Sequence, residues 1–155
     1  MSLDSGIIDK LVNILLHDDV DVKKEAVWAL SNSTQNAQPH QILEMVKRGI
    51  LKALSEILKL NDNKSLIVAM EGIENVLKVG QEHFMNNAEN VNEFVLELEK
   101  VGGVDRIEAL QQHKNHAVYD RAVHILEKYF NEEEDNVDAI MDMITNKDNG
   151  ASYTF

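Results

Sequence analysis

Asp21, Glu25, Trp28 and Asn32 stand at i, i+4, i+7 and i+11, a spacing that sets all four on one narrow stripe of a helix. The chemistry such a stripe offers is recognition. An indole face attracts cations, an interaction worth about 0.5–2 kcal/mol. A primary amide one turn along can both donate to and accept from a peptide backbone, and the Glu25 carboxylate adds charge for a lysine or arginine. Trp28 is the sole tryptophan of the chain. A lone tryptophan in a small helical protein is often a partly buried core residue, and an asparagine in mid-helix is often merely solvated. Both placements, core and ligand-facing, therefore stay open, and the polar company of Trp28 raises the second to equal standing.

Other clusters offer less. His113 and His116 flank a turn, and His124 lies two helical turns beyond His116, so these imidazoles do not converge as metal ligands do. His17, Asp18, Asp19 and Asp21 lack the sixth-position glycine and the closing glutamate of an EF-hand loop; helix capping and solvation account for them. The chain has no cysteine, which removes disulfides, thiolate metal sites and cysteine nucleophiles. No glycine-rich phosphate loop, nucleophile elbow or strand framework occurs. Glu133 and Glu134 lie in an acidic tail, where nothing buries them and raises their pKa values. The expectation is a binding protein and not an enzyme, with no metal and no cofactor.

The stripe needs a helix to carry it, and the pattern predicts one over residues 21–35, with Val22, Ala26, Ala29 and Leu30 toward the core. An amphipathic helix over 6–16 precedes it. His17-Asp18-Asp19 forms the turn between them, where Asp18 or Asp19 can cap the second helix. Pro39, the only proline, opens a short helix over 41–48 that ends at Gly49. The same plan then recurs: 50–60, about 64–79, about 90–100, 104–112 and 117–130. Between these, 80–92 is polar and reads as an extended loop.

The recurrence is an internal repeat. Gly6-Ile7-Ile8-Asp9-Lys10-Leu11, Gly49-Ile50-Leu51-Lys52-Ala53-Leu54 and Gly103-Val104-Asp105-Arg106-Ile107 each put apolar residues at helical spacing after a glycine. The first two glycines are 43 residues apart and the next two 54; the first interval falls within the roughly 40–47 residues of HEAT and armadillo units. A short, a middle and a long helix per unit is the armadillo plan. Counted from these glycines, Asn75 occupies the place of Asn32 and Glu71 that of Trp28. Tyr129 and Ile125 occupy them in the third unit, which would end the polar stripe. One unit cannot bury its apolar face alone, so about three must stack to be stable. The fold expected is all-α: an armadillo-repeat α-solenoid, a right-handed superhelix of about three repeats with an acidic C-terminal tail.

Charge narrows the partners. Twenty-seven acidic against 15 basic side chains give a formal net charge of −12, which repels phosphate backbones and suits a basic partner. Nucleic acid is not expected. No apolar run approaches the length of a membrane span, and Met1-Ser2-Leu3-Asp4-Ser5-Gly6 has no secretory pattern.

Lys24-Glu25-Ala26-Val27-Trp28-Ala29-Leu30-Ser31-Asn32 resembles the long-helix motif of importin-α, the nuclear import adaptor. Gly102-Gly103-Val104-Asp105-Arg106-Ile107-Glu108-Ala109-Leu110-Gln111 and Ile125-Leu126-Glu127-Lys128-Tyr129-Phe130 resemble that family's last armadillo repeat, and the end Tyr153-Thr154-Phe155 is similar too. The resemblance spans nearly the whole chain. It implies a concave face that binds nuclear localisation signals, asparagines holding an extended peptide backbone while indoles sandwich lysine and arginine stems. Trp28 and Asn32 then match one pair at the far end of the family's minor site, with Glu25 beside them and Asn75 one repeat on. Asp21 stands where the family often has a lysine. The resemblance further implies docking of a nuclear export receptor with Ran-GTP and of nucleoporins at the last repeats, and shuttling between cytoplasm and nucleus. Importin-β would bind only through an N-terminal segment that this sequence does not contain. The first unit lacks the short leading helix, so a longer solenoid is expected.

The expected organisation is armadillo repeats over 1–132 (approximately 6–48, 49–102 and 103–132) and an acidic tail over 133–155. In the tail, Val137, Ile140, Met141 and Ile144 have the spacing of a short capping helix followed by disorder, the alternative being a wholly disordered, solubilising end. An armadillo scaffold unrelated to nuclear transport is the alternative. It would show no preference for lysine-rich peptides, and a small helical enzyme would need a closed pocket with buried polar groups.

Overall fold

The computed structural model describes residues 5–86, 88 and 90–130. These form α1 (Ser5–His17), α2 (Val20–Ser33), α3 (Pro39–Lys47), α4 (Ile50–Ile57), α5 (Asn63–His83), α6 (Glu93–Lys100), α7 (Gly103–Ala109) and α8 (His116–Tyr129). A 3-10 turn, Leu110–Gln112, follows α7, and two short strands, β1 (Met85–Asn86) and β2 (Val91–Asn92), pair antiparallel between α5 and α6. The fold is the all-α armadillo arrangement. The capping helix expected in 133–155 lies outside the described residues.

Local chemistry explains where these helices begin. Pro39 opens α3 at a position whose N–H would be unpaired in any case, and the Gln41 side chain accepts the Gln38 N–H at 2.7 Å. Asp62 caps α5, one carboxylate oxygen accepting both the Ser65 N–H at 3.0 Å and the Ser65 hydroxyl at 2.6 Å. Asn115 plays the same part for α8, its Oδ1 accepting from the Ala117 and Val118 N–H groups. Gly49 and Gly102 precede α4 and α7 in the left-handed conformation, with φ of 95° and 83°, where a side chain would be strained.

The chain divides into two compact units, 1–123 and 124–155. In the first, α1 packs on α4 and α4 on α7, while α2 packs on α5. Middle helices thus meet middle helices and a long helix meets a long helix, with α3 set against α4 and α5, and α6 against α5 and α7. Helix α4 is enclosed by these neighbours and is apolar on nearly all sides: Ile50, Leu51, Ala53, Leu54 and Ile57 are all buried. Leu15, Leu30, Ile42, Leu66, Met70, Ile73 and Leu77 complete the centre. In the second unit the described residues are 124–130, the end of α8, where Ile125, Leu126 and Tyr129 are buried and the Lys128 ammonium lies 5.3 Å from the Tyr129 ring.

Three expectations need correction. First, the core face of α2 is Ala26, Val27, Leu30 and Ser31, while Val22 and Ala29 are exposed. The helix is turned so that Ser31 meets α5, its hydroxyl donating to the Val68 carbonyl at 2.8 Å. Second, 80–92 is not an extended loop. Helix α5 continues to His83 and the chain returns through the β1–β2 hairpin. Gly80 is no helix stop: it is buried, and a Cβ there would collide with Asn92 and Phe94, so glycine permits close packing where the sequence suggested a break. Asn92 fastens the hairpin by donating to the Leu77 carbonyl at 2.9 Å. Third, the left-handed glycine corresponding to Gly49 is Gly102, not Gly103, and the cap corresponding to Asp62 is Asn115; both pairs are 53 residues apart. The third-repeat positions matching Trp28 and Asn32 are therefore His124 and Lys128, both exposed, whereas Ile125 and Tyr129 are buried.

Candidate functional site

Helix α2 carries the stripe because its other side is committed. Ala26, Val27, Leu30 and Ser31 are buried, and Thr34, just past the helix, is buried too and caps it through its hydroxyl on the Ser31 carbonyl. This fixes the rotation of the helix and turns Asp21, Glu25, Trp28 and Asn32 to solvent. Trp28 is 49% exposed. The indole is thus at the surface and not in the core, which excludes the first of the placements left open by the sequence. Asn32 makes no side-chain hydrogen bond to another described residue, so its amide has both functions available. Lys24 points away into an ion pair with Asp62 at 3.6 Å, which ties α2 to the cap of α5 and removes the adjacent cation from the stripe.

Asn75, on α5, is held differently. It is half-buried, and its Nδ2 donates to the Thr34 hydroxyl at 2.9 Å. The structure therefore brings Glu25, Trp28 and Asn32 together on one exposed face. Asn75 lies where α5 meets the end of α2, with part of its hydrogen-bonding capacity already taken. Two residues that no sequence pattern singled out belong to this region. Thr34 is one. The other is Arg121 of α8, whose guanidinium meets Glu74 at 2.8 Å and Glu71 at 3.5 Å on α5. No local signal could have found Arg121, since its partners are nearly fifty residues away in sequence.

The arrangement suits reversible contact with a basic, extended ligand. An exposed indole, a free amide and a carboxylate, one helical turn apart, present a cation-attracting face, a backbone-pairing group and a charge. Among the described residues no group of three or more histidine, aspartate or glutamate side chains is placed to hold a metal ion, and no helix is long and apolar enough to cross a membrane. His113 is engaged in its own turn, its Nδ1 accepting the Asn115 N–H at 3.0 Å. A cleft of about 430 Å³ exists elsewhere, between α3, the hairpin and α6, floored by Phe84 and Phe94, whose ring centroids are 5.1 Å apart. His83, Glu93 and Glu97 also line it.

Residues 92–143 match the atypical armadillo repeat model and residues 1–32 the armadillo/beta-catenin-like repeat model. The chain is 38% identical over 130 residues to importin subunit alpha-5 of Arabidopsis thaliana, covering 84% of this chain and 25% of that protein. It is 38% identical over 104 residues to importin subunit alpha of Saccharomyces cerevisiae, covering 67% of this chain and 19% of that one. The chain thus spans about a quarter or less of the length of these relatives. A solved engineered protein shares the fold, with a TM-score of 0.61 at 22% identity over 80% of this chain and 46% of its own.

Proposed function

Because these are armadillo repeats of the importin-α family, matching its C-terminal part, we propose that the chain acts in a nuclear import adaptor and binds the basic localisation signals of cargo along the Glu25–Trp28–Asn32 stripe. The observation that carries this reading is the half-exposed Trp28 beside an unengaged Asn32 on a helix whose opposite side is locked into the core. In this reading the indole stacks on a lysine or arginine stem, Asn32 holds the peptide backbone, Glu25 draws the charge, and Asn75 offers what its bond to Thr34 leaves free. The stripe then serves as the part of the minor site nearest the C-terminus. The surface of the last repeats serves the nuclear export receptor with Ran-GTP and nucleoporins, and the protein moves between cytoplasm and nucleus. It works as an adaptor and performs no reaction.

Titration with a lysine-rich localisation peptide, followed by tryptophan emission and by anisotropy of the labelled peptide, tests this. The expected result is saturable, salt-sensitive binding that Trp28→Ala weakens about tenfold by anisotropy. Lysine-rich and neutral peptides binding alike, with no effect of Trp28→Ala, would favour a scaffold outside nuclear transport.

A further inference from the structure

Asp19 and Asp62 occupy the N-cap positions of the two adjoining long helices, so Glu71 stands on α5 where Trp28 stands on α2, and Asn75 where Asn32 stands. At this second register both members of the pair are already engaged. The Glu71 carboxylate, together with Glu74 one turn along, holds the guanidinium of Arg121 at 3.5 and 2.8 Å. The Asn75 amide nitrogen is taken by Thr34. The Arg121 side chain is 35% exposed and that of Glu71 41%, so the pair lies at the surface, within reach of a ligand lying across α2 and α5.

We infer that Arg121 is a built-in stop for a basic peptide. It seats the chain's own guanidinium where the next lysine or arginine of a ligand on the Trp28 stripe would otherwise sit, and so limits the usable track to the α2 register. This rests on the reading of that stripe as a peptide track. The physical case is direct. A carboxylate in place of the tryptophan would be the strongest attractor of a cation on this face, and the chain supplies the cation itself. An incoming lysine must displace Arg121 from two carboxylates and then lie beside the displaced positive charge, which opposes it. Packed helices lie about 8–10 Å apart and an extended chain advances about 3.3–3.6 Å per residue, so the blocked position falls about three residues beyond the one at Trp28.

The test compares two labelled oligolysines, one of about four residues that reaches a single register and one of about eight that reaches both. Their affinities for the wild type, Arg121→Ala and Arg121→Gln are measured by anisotropy, with circular dichroism confirming the fold of each variant. Arg106→Ala removes an equal charge from an exposed position on α7 and controls for net charge. The expected result is that both Arg121 variants tighten the long peptide about fivefold at low salt and leave the short one unchanged. Adding Glu71→Gln should erase the gain. Equal tightening of both peptides, the same gain from Arg106→Ala, or no gain at all would overturn the proposal. The two readings fail separately: loss of binding in Trp28→Ala bears on the stripe, whereas the difference between Arg121 variants and their parents, measured also in a Trp28→Ala background, bears on the stop.

Discussion

At Trp28 and Ser31 one helix does two jobs three residues apart. The indole is half-exposed and the serine hydroxyl is buried on the Val68 carbonyl. Trp28→Ala should change stability by no more than about 0.5 kcal/mol, as exposed substitutions do. It should weaken a lysine-rich peptide about tenfold, within the upper range of a cation–π contact. Thermal melts and anisotropy on the same samples separate the two effects. Ser31→Ala should do the reverse, costing about 1 kcal/mol of stability through the lost buried hydrogen bond and leaving the tryptophan spectrum of the folded protein unchanged. The stripe itself was legible, because helical spacing alone decides which residues share a face. Which face of α2 is buried was not: Val22 and Ala29 are as apolar as Val27, and only contact with α5 chooses between them. Arg121 and Thr34 were invisible for a related reason, since their partners come from other helices.

Helix α5 shows what capping and close packing contribute. Asp62 has its pKa held below the ordinary aspartate range, first by the Ser65 hydroxyl and then by the Ser65 N–H, with Lys24 adding to them and burial opposing. A carboxyl depressed in the folded state contributes stability above its unfolded pKa and loses it as pH falls through the folded one. Asp62→Ala should therefore cost about 1 kcal/mol at neutral pH, the usual worth of a helix cap. Urea midpoints of mutant and wild type should converge only in acid below the usual aspartate range. Gly80→Ala should cost about 1–3 kcal/mol, as overpacking does, because Asn92 and Phe94 occupy the space; a lowered urea midpoint with an unchanged slope would confirm it. Helix existence and order were readable from periodicity, while the end of α5 was misplaced. A glycine inside a periodic stretch signals a break as readily as a close approach, and Asn92, which decides the matter here, is twelve residues downstream.

Across the molecule the formal net charge is −12, while the proposed recognition stripe carries two acidic groups of its own, Asp21 and Glu25. Long-range attraction of a basic peptide should thus be screened readily. Its affinity should fall steeply from low to moderate salt in both wild type and Glu25→Gln, with a smaller slope in the variant; stopped-flow association rates would show the same order. Repeat architecture was the most legible feature of all, because it is written twice over, in glycine spacing and in helix order. Its phase in the third repeat was the part that slipped. Two adjacent glycines, Gly102 and Gly103, fit the pattern equally well, and only the left-handed backbone at Gly102 identifies the counterpart of Gly49.

That the step from Gly49 to Gly102 exceeds the preceding one by ten residues, yet α4 still meets α7 directly, bears on how such arrays change over time. The surplus is taken up sideways, in a lengthened α5 and the β1–β2 hairpin, so length there is decoupled from the spacing of the array. Insertions and deletions between Asn86 and Val91 should be among the most freely tolerated in lineages of this sequence. The same place is where a laboratory could graft an epitope tag without disturbing the exposed stripe on α2.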